Sequence, residues 1–154
     1  MLDALWRAAL RVAYRLLRIY WQVFNPQTEG VCVLVWHRDR LLVLRHSYKP
    51  GVGIPAGAPH RGEAPIATAL RELREEVGVS LEAVSLRPLG ELHPRHEAKR
   101  DHLIAFEAVV ESAPTIQIDR REIVSAWWAS RSDLANTELW PPLRELLDLS
   151  RAAG

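Results

Sequence analysis

Residues 57–79 read GAPHRGEAPIATALRELREEVGV, and this stretch decides the fold. Pro65 is pre-set for the first turn of a helix, where its missing N–H costs nothing. Gly78 suits the left-handed position just past a helix end. Between them Ile66, Ala69, Leu70, Leu73 and Val77 recur at helical spacing, which predicts a helix over 64–77 with one apolar stripe. Beside that stripe Glu72, Glu75 and Glu76 stand at i, i+3 and i+4 and share one face. Like charges at that spacing oppose each other by about 0.2–0.5 kcal/mol per pair. On an ordinary helix such a run is a charged face open to water. The crowding brings a gain when divalent cations sit among the carboxylates, and hard oxygen donors at this density suit Mg²⁺ or Mn²⁺. Arg71 adjoins the cluster and can fix a carboxylate through a bidentate pair. Glu63 stands at the helix start, where the dipole favours an anion.

Upstream, residues 30–36 and 41–44 are short apolar runs joined by His37-Arg38-Asp39-Arg40, which predicts a hairpin. Residues 49–59 are rich in Gly and Pro and read as a loop with a constrained backbone. Downstream, strands are expected over 84–92, 102–110 and 123–129, and a closing helix over 139–149 with Pro141-Pro142 at or before its first turn. Strands mixed with helices imply a layered α/β domain.

A chain of 154 residues suits one such domain. The net charge of +1 makes no field that would gather nucleic acid, and none is expected as a partner. The single cysteine, Cys32, lies in the apolar run Val31-Cys32-Val33-Leu34-Val35 and reads as a small buried hydrophobe. It can form no internal disulfide, which agrees with a reducing, cytoplasmic setting.

The first 24 residues read as an amphipathic helix stopped by Asn25-Pro26, ahead of a domain over 25–154. Arg7, Arg11, Arg15 and Arg18 stack on one side; Trp6, Leu10, Tyr14, Leu17, Trp21 and Phe24 occupy the rest. A spanning helix would place those arginines in hydrocarbon at a cost of about 2.5–3.5 kcal/mol each. They also interrupt the unbroken apolar run that a secretory signal needs. Two readings stay open. One is a helix packed against a second copy of the chain, favoured by small Ala8, Ala9 and Ala13. The other is a helix lying on a membrane surface, which would make the protein peripheral.

The stretch 57–79 resembles the Nudix box, a family signature written G-x5-E-x7-R-E-U-x-E-E-x-G-U with U a bulky aliphatic residue. Gly57, Glu63, Arg71, Glu72, Leu73, Glu75, Glu76, Gly78 and Val79 fill every fixed position. The resemblance implies a Nudix-type α/β/α sandwich with a mixed sheet, here preceded by the amphipathic helix. It implies a hydrolase that uses Mg²⁺ or Mn²⁺ to split a pyrophosphate bond by attack of water on phosphorus. Glu72, Glu75 and Glu76 would ligate or orient the metals, with the carbonyl of Ala56 as a further ligand. Many members read Pro-Gly-Gly where this chain has Pro55-Ala56-Gly57, a change that a backbone ligand tolerates. Glu63 and Arg71 would pair and brace the helix, with Gly57 and Gly78 shaping its ends.

The box does not name the general base. Glu122, at the start of the strand Glu122-Ile123-Val124, is the first candidate; Glu97 and His96 are the others. Catalysis is thus expected from Glu72, Glu76 and Glu122. Arg45, His46, Lys49, Arg61, Arg95, Lys99 and Arg100 are the cations available to a pyrophosphate. Trp127 and Trp128 are adjacent on a strand and face opposite ways, so at most one could stack on a base. Pro94, 15 residues beyond Val79, and the Pro55-Ala56-Gly57 variant both resemble the subgroup acting on ADP-ribose. The substrate class expected is a nucleoside diphosphate linked to another group, with ADP-ribose or a nucleotide sugar ahead of a nucleoside triphosphate. The rival reading is a Nudix-fold module that binds a nucleotide without turning it over; three metal-binding carboxylates speak against it.

Overall fold

A computed structural model describes residues 2–95 and 97–150, with the backbone alone for Leu2. The chain opens with a helix, α1 (Leu2–Phe24), then runs through β1 (Gln27–His37), β2 (Arg40–His46) and a short β3 (Ala56–Gly57) into α2 (Pro65–Val77). After a single 3₁₀ turn at Ala83–Ser85 come β4 (Arg87–Leu92), β5 (Arg100–Val110), β6 (Ile123–Ser130), α3 (Arg131–Ala135) and α4 (Pro141–Leu149).

The strands form one mixed sheet in the order β4-β5-β1-β2-β6. β1 and β5 run parallel over their full lengths; the other pairs are antiparallel. The second edge of β1 is divided. Trp36 and His37 pair with β2, whereas Val31 and Cys32 pair with Gly57 and Ala56 of β3. That division brings β3 into the sheet beside α2.

Residues 31–36 are fully buried on both faces, which is why they read as an unbroken apolar run rather than an alternating one. Val31, Val33 and Val35 pack with Ala69, Leu73 and Val77 of α2. Cys32, Leu34 and Trp36 point the other way, toward Leu134 of α3 and Leu143, Leu146 and Leu147 of α4. Helices on both faces of a mixed sheet make the α/β/α sandwich.

Some boundaries differ from the sequence expectation. The stretch 84–92 becomes a strand only from Arg87, because the preceding three residues close a turn through Ser85 N to Glu82 O. The loop expected over 49–59 contains β3. Helix α3 was not anticipated, although Ser130 and Asp133 form a capping box at its start. Trp127 and Trp128 do face opposite sides of the sheet, each packing against a different core layer.

Helix α1 ends as its sequence suggests. Asn25 adopts φ 42° and donates its N–H to Trp21 O, and Pro26 follows. The helix lies across the loops of the domain, burying Tyr14 and Trp21. Arg7 Nε donates to Arg120 O (2.8 Å) and Arg11 Nε to Ser47 O (3.1 Å), so part of the arginine strip faces protein. The other side presents Leu5, Val12, Leu16, Ile19, Tyr20, Val23 and Phe24 to solvent, each at least 49% exposed. Among the described residues no helix is long and apolar enough to cross a membrane.

Candidate metal and substrate site

The site is built from the two ends of α2. Its start has no side-chain cap: Ala64 takes an extended conformation and Pro65 occupies the first turn. Its end closes on Gly78 at φ +70°, with Gly78 N bound to Arg74 O and Val79 N to Leu73 O. A side chain at Gly78 would also press on Gln117, its Cβ 2.8 Å from that of Gln117. Glycine therefore serves both the turn and the close approach.

The packing stripe of α2 turns one flank toward a cavity of about 460 Å³ lined by Glu72, Glu75, Glu76, Asp119, Arg121 and Glu122. Glu72 lies directly on the backbone of Gly57, where any Cβ would collide with its carboxylate. Glu76 accepts from His46 Nε2 (3.0 Å) and from the N–H of Ala56 (3.1 Å). Arg71 forks onto Glu63 through Nε and a terminal nitrogen, at 2.9 and 3.0 Å. Its remaining N–H groups reach Glu72, Glu75 (3.1 Å) and the carbonyl of Ala58 (3.0 Å). Glu63 takes further bonds from His60 N and Thr68 Oγ1.

The electrostatics follow. Bonding to Arg71, then to His60 N, holds the Glu63 carboxyl down to about 2. Glu72 is pushed the other way, above the usual carboxylate range, by burial and then by the charge of Glu76, despite Arg71. Glu122 is raised by burial and then by Glu76 and Asp119. Excess negative charge crowded in a cavity is the condition that a divalent cation relieves. Among the described residues no three His, Cys, Asp or Glu side chains stand as a ready-made metal set. Glu72 and Glu76 are turned to Arg71, His46 and Ala56 instead. The donor chemistry nevertheless fits Mg²⁺ or Mn²⁺, since the cavity is lined by carboxylate oxygens with no thiolate or imidazole at its surface.

Glu122 is not the first residue of a strand; it lies in the turn before β6, where its N–H meets Asp119 O and its carbonyl meets Ser47 N. The turn still delivers its side chain to the cavity. Glu97 lies elsewhere, lining a neighbouring aromatic cavity, and His96 falls outside the described residues. Sequence reasoning missed Asp119, which pairs with Arg121, and Tyr48, whose hydroxyl is raised by burial and then by Glu122, Glu76 and Glu72. No helical periodicity marks either residue. Asp119 is placed by its N–H on Glu76 O and its carbonyl on Ile123 N, and Tyr48 follows directly on Ser47, whose N–H meets Glu122 O.

With this geometry in hand, comparison with known proteins is direct. The NUDIX domain family matches residues 26–149, and the chain belongs to that family. The NAD-capped RNA hydrolase ndx-9 of Caenorhabditis elegans is 29% identical over 130 residues, covering 82% of this chain and 34% of that protein. The chain spans about a third of the length of the curated relatives it matches. The NUDIX domain of Shewanella oneidensis NrtR, in a cocrystal structure with ADP ribose, has a TM-score of 0.73 at 19% identity over 84% of this chain and 89% of that one. A bifunctional NMN adenylyltransferase/ADP ribose pyrophosphatase from Francisella tularensis, complexed with AMP and a Mn ion, has a TM-score of 0.70 at 20% identity over 89% of this chain and 47% of its own. At these identities the structures share the fold.

Two outcomes are expected at the brace. A free glutamate titrates at ~4.3, so a carboxyl held at about 2 in the folded state stabilises the protein fully above the free value. The contribution is lost as pH falls through the folded value. The stability gap between wild type and Glu63→Gln in urea melts should therefore shrink between about pH 5 and about pH 2; a gap that stays constant would show that Glu63 is not held ionised by Arg71. Arg71→Lys should lower both stability and turnover, because a point charge cannot keep a fork on Glu63 while reaching Glu72 and Glu75. Wild-type kinetics with lysine would remove the guanidinium geometry from the account.

Proposed function

We propose that the protein is a pyrophosphohydrolase that uses Mg²⁺ or Mn²⁺ to cleave a nucleoside diphosphate linked to a second group, with ADP-ribose or a nucleotide sugar ahead of a nucleoside triphosphate. The observation that carries this reading is the carboxylate-lined cavity, with Glu72 seated on Gly57 and Glu76 against Ala56. Glu72, Glu75 and Glu76 would hold the cation, joined by the carbonyl of Ala56. The cation supplies polarisation of the phosphoryl oxygens and charge relief for the leaving phosphate. Glu122, across the cavity from α2, would take the proton from the attacking water. His46 would orient Glu76, and Arg71 with Glu63, Gly57 and Gly78 would keep the three carboxylates in place. The substrate preference is supported by Pro55-Ala56-Gly57 and Pro94, and by the ADP ribose and AMP bound to proteins of the same fold.

Turnover across a panel of nucleotide classes should require the cation and stop with chelator. Glu76→Gln should leave the fold intact and lower kcat about a hundredfold or more, since each 1.36 kcal/mol of lost transition-state stabilisation is a factor of ten. A folded Glu76→Gln protein with near-normal turnover would sink the assignment.

The exposed side of α1 we assign to a second copy of the chain in a cytoplasmic homodimer. Ala9 and Ala13 lie within the exposed apolar arc, where small side chains allow two helices to approach closely, and burying one Leu or Phe contributes about 1.5–3 kcal/mol. Sedimentation without detergent should give a dimer that residues 1–24 are needed to form. A well-behaved monomer that pellets with anionic vesicles would replace the second copy by a membrane surface.

A further inference from the structure

Ala56 and Gly57 border a second cavity, of about 290 Å³. Small-molecule pockets run from roughly 300 to 1,000 Å³, so this one holds one end of a substrate rather than the whole. Its lining carries the rings of Tyr48 and Trp140 and charges of both signs: Lys49 and Lys99 stand with Glu29, Glu97 and Asp101, and Lys99 pairs with Asp101 at 3.0 Å. The residues matched by the family do not complete it: α1 contributes Tyr14, Leu17 and Trp21 to its wall.

The attachment of α1 is specific. The carbonyl that receives Arg7 belongs to Arg120, two residues before Glu122, and the one that receives Arg11 belongs to Ser47, next to Tyr48. The helix is thus fastened to both loops that carry site residues. Tyr14 meets Tyr48 edge-on at 5.5 Å, Tyr48 meets His46 at 5.4 Å, and His46 bonds Glu76. Trp21 is 8% exposed, with Lys99 Nζ 4.5 Å from its ring centre. Trp140 is anchored through its backbone N–H to Val52 O (2.8 Å).

We propose that α1 is one wall of the substrate pocket, and that Trp21, with Tyr48 and Trp140, holds the aromatic base of a nucleoside diphosphate whose phosphates reach the carboxylates past Ala56 and Gly57. Every base offers a π-face to such a surface, and Lys49 Nζ, 5.4 Å from the Tyr48 ring centre, is the cation that a phosphate would meet beside it. The assignment rests on the nucleotide reading above and adds the part of the chain that grips the base.

The test uses the full-length protein with Mg²⁺ and two kinds of non-hydrolysable probe, read by calorimetry. One kind is the α,β-methylene analogues of ADP, GDP, CDP and UDP; the other is methylenediphosphonate, which has the phosphonates and no base. Trp21→Ala should weaken the analogue that binds wild type best by about tenfold or more, while methylenediphosphonate stays within about twofold. Should Trp21→Ala not fold, Trp21→Leu keeps the apolar contact with the domain, removes the aromatic plane and carries the same expectation. Equal weakening of both probes would mean that α1 only supports the fold, and unchanged affinity for both would mean that it lies outside the pocket; either overturns the proposal. Failure of every nucleoside analogue to bind wild type would instead sink the nucleotide reading, and the base-binding role with it.

Discussion

Glu72, Glu75 and Glu76 crowd one flank of α2, and the guanidinium of Arg71 is the contact that ties the first two of them to Glu63. The three repel one another across a single turn; Arg71 draws in Glu72 and Glu75, while His46 and the N–H of Ala56 hold Glu76. Arg71 meets Glu63, Glu72, Glu75 and the carbonyl of Ala58 at once. A planar group with five donors can do this and a lysine cannot. The arrangement balances only part of the charge: Glu63 is held well below the usual range while Glu72 is driven above it. What is left is a cavity lined by Glu72, Glu75, Glu76, Asp119 and Glu122, with Arg121 as the cation on its wall.

The sheet supplies the other half of the constraint. Because β1 gives its second edge first to β3 and then to β2, the backbone of Ala56 and Gly57 is delivered to the flank of α2. Glycine is required there by contact with Glu72 rather than by its own dihedral angles. On the far side, the pairing of β2 with β6 slips between Arg45 and His46, so that His46 pairs with Ile123. A bulge of this kind re-aims side chains at a sheet's end. Here it sets His46 against Glu76 and leaves Glu122, one residue before Ile123, at the rim of the same cavity.

How much of this was legible follows from the range of the interactions involved. The box helix, its ends and its apolar stripe are local, so periodicity and turn chemistry in 57–79 were enough to read them. The doubly buried β1 was visible as an apolar run for the same reason. Asp119, Tyr48 and the bulge were not, because they reach the site through long-range contacts: Asp119 N on Glu76 O, Ser47 N on Glu122 O, and the pairing of β2 with β6 some eighty residues away in sequence. The arginines of α1 were legible as a strip, but which way the strip faces was not. Helical spacing groups residues on a cylinder and leaves its rotation to whatever it packs against. In the structure that rotation goes with the burial of Tyr14 and Trp21 and with two bonds to backbone carbonyls, on Arg120 and Ser47, which carry no sequence signature.

Rotation also explains how one helix can be apolar over so much of its circumference in a chain of this size. The side bearing Tyr14 and Trp21 is buried over the loops of the domain, and the side bearing Val12, Leu16 and Ile19 is not. A domain of this size can cover one side of a cylinder, and α1 is apolar on two. The inner side is continuous with the chain of rings that ends at Glu76, so shifting α1 would move Tyr14 against Tyr48 and Tyr48 against His46. The contacts of Arg7 and Arg11 join the same helix to the domain at Arg120 and Ser47.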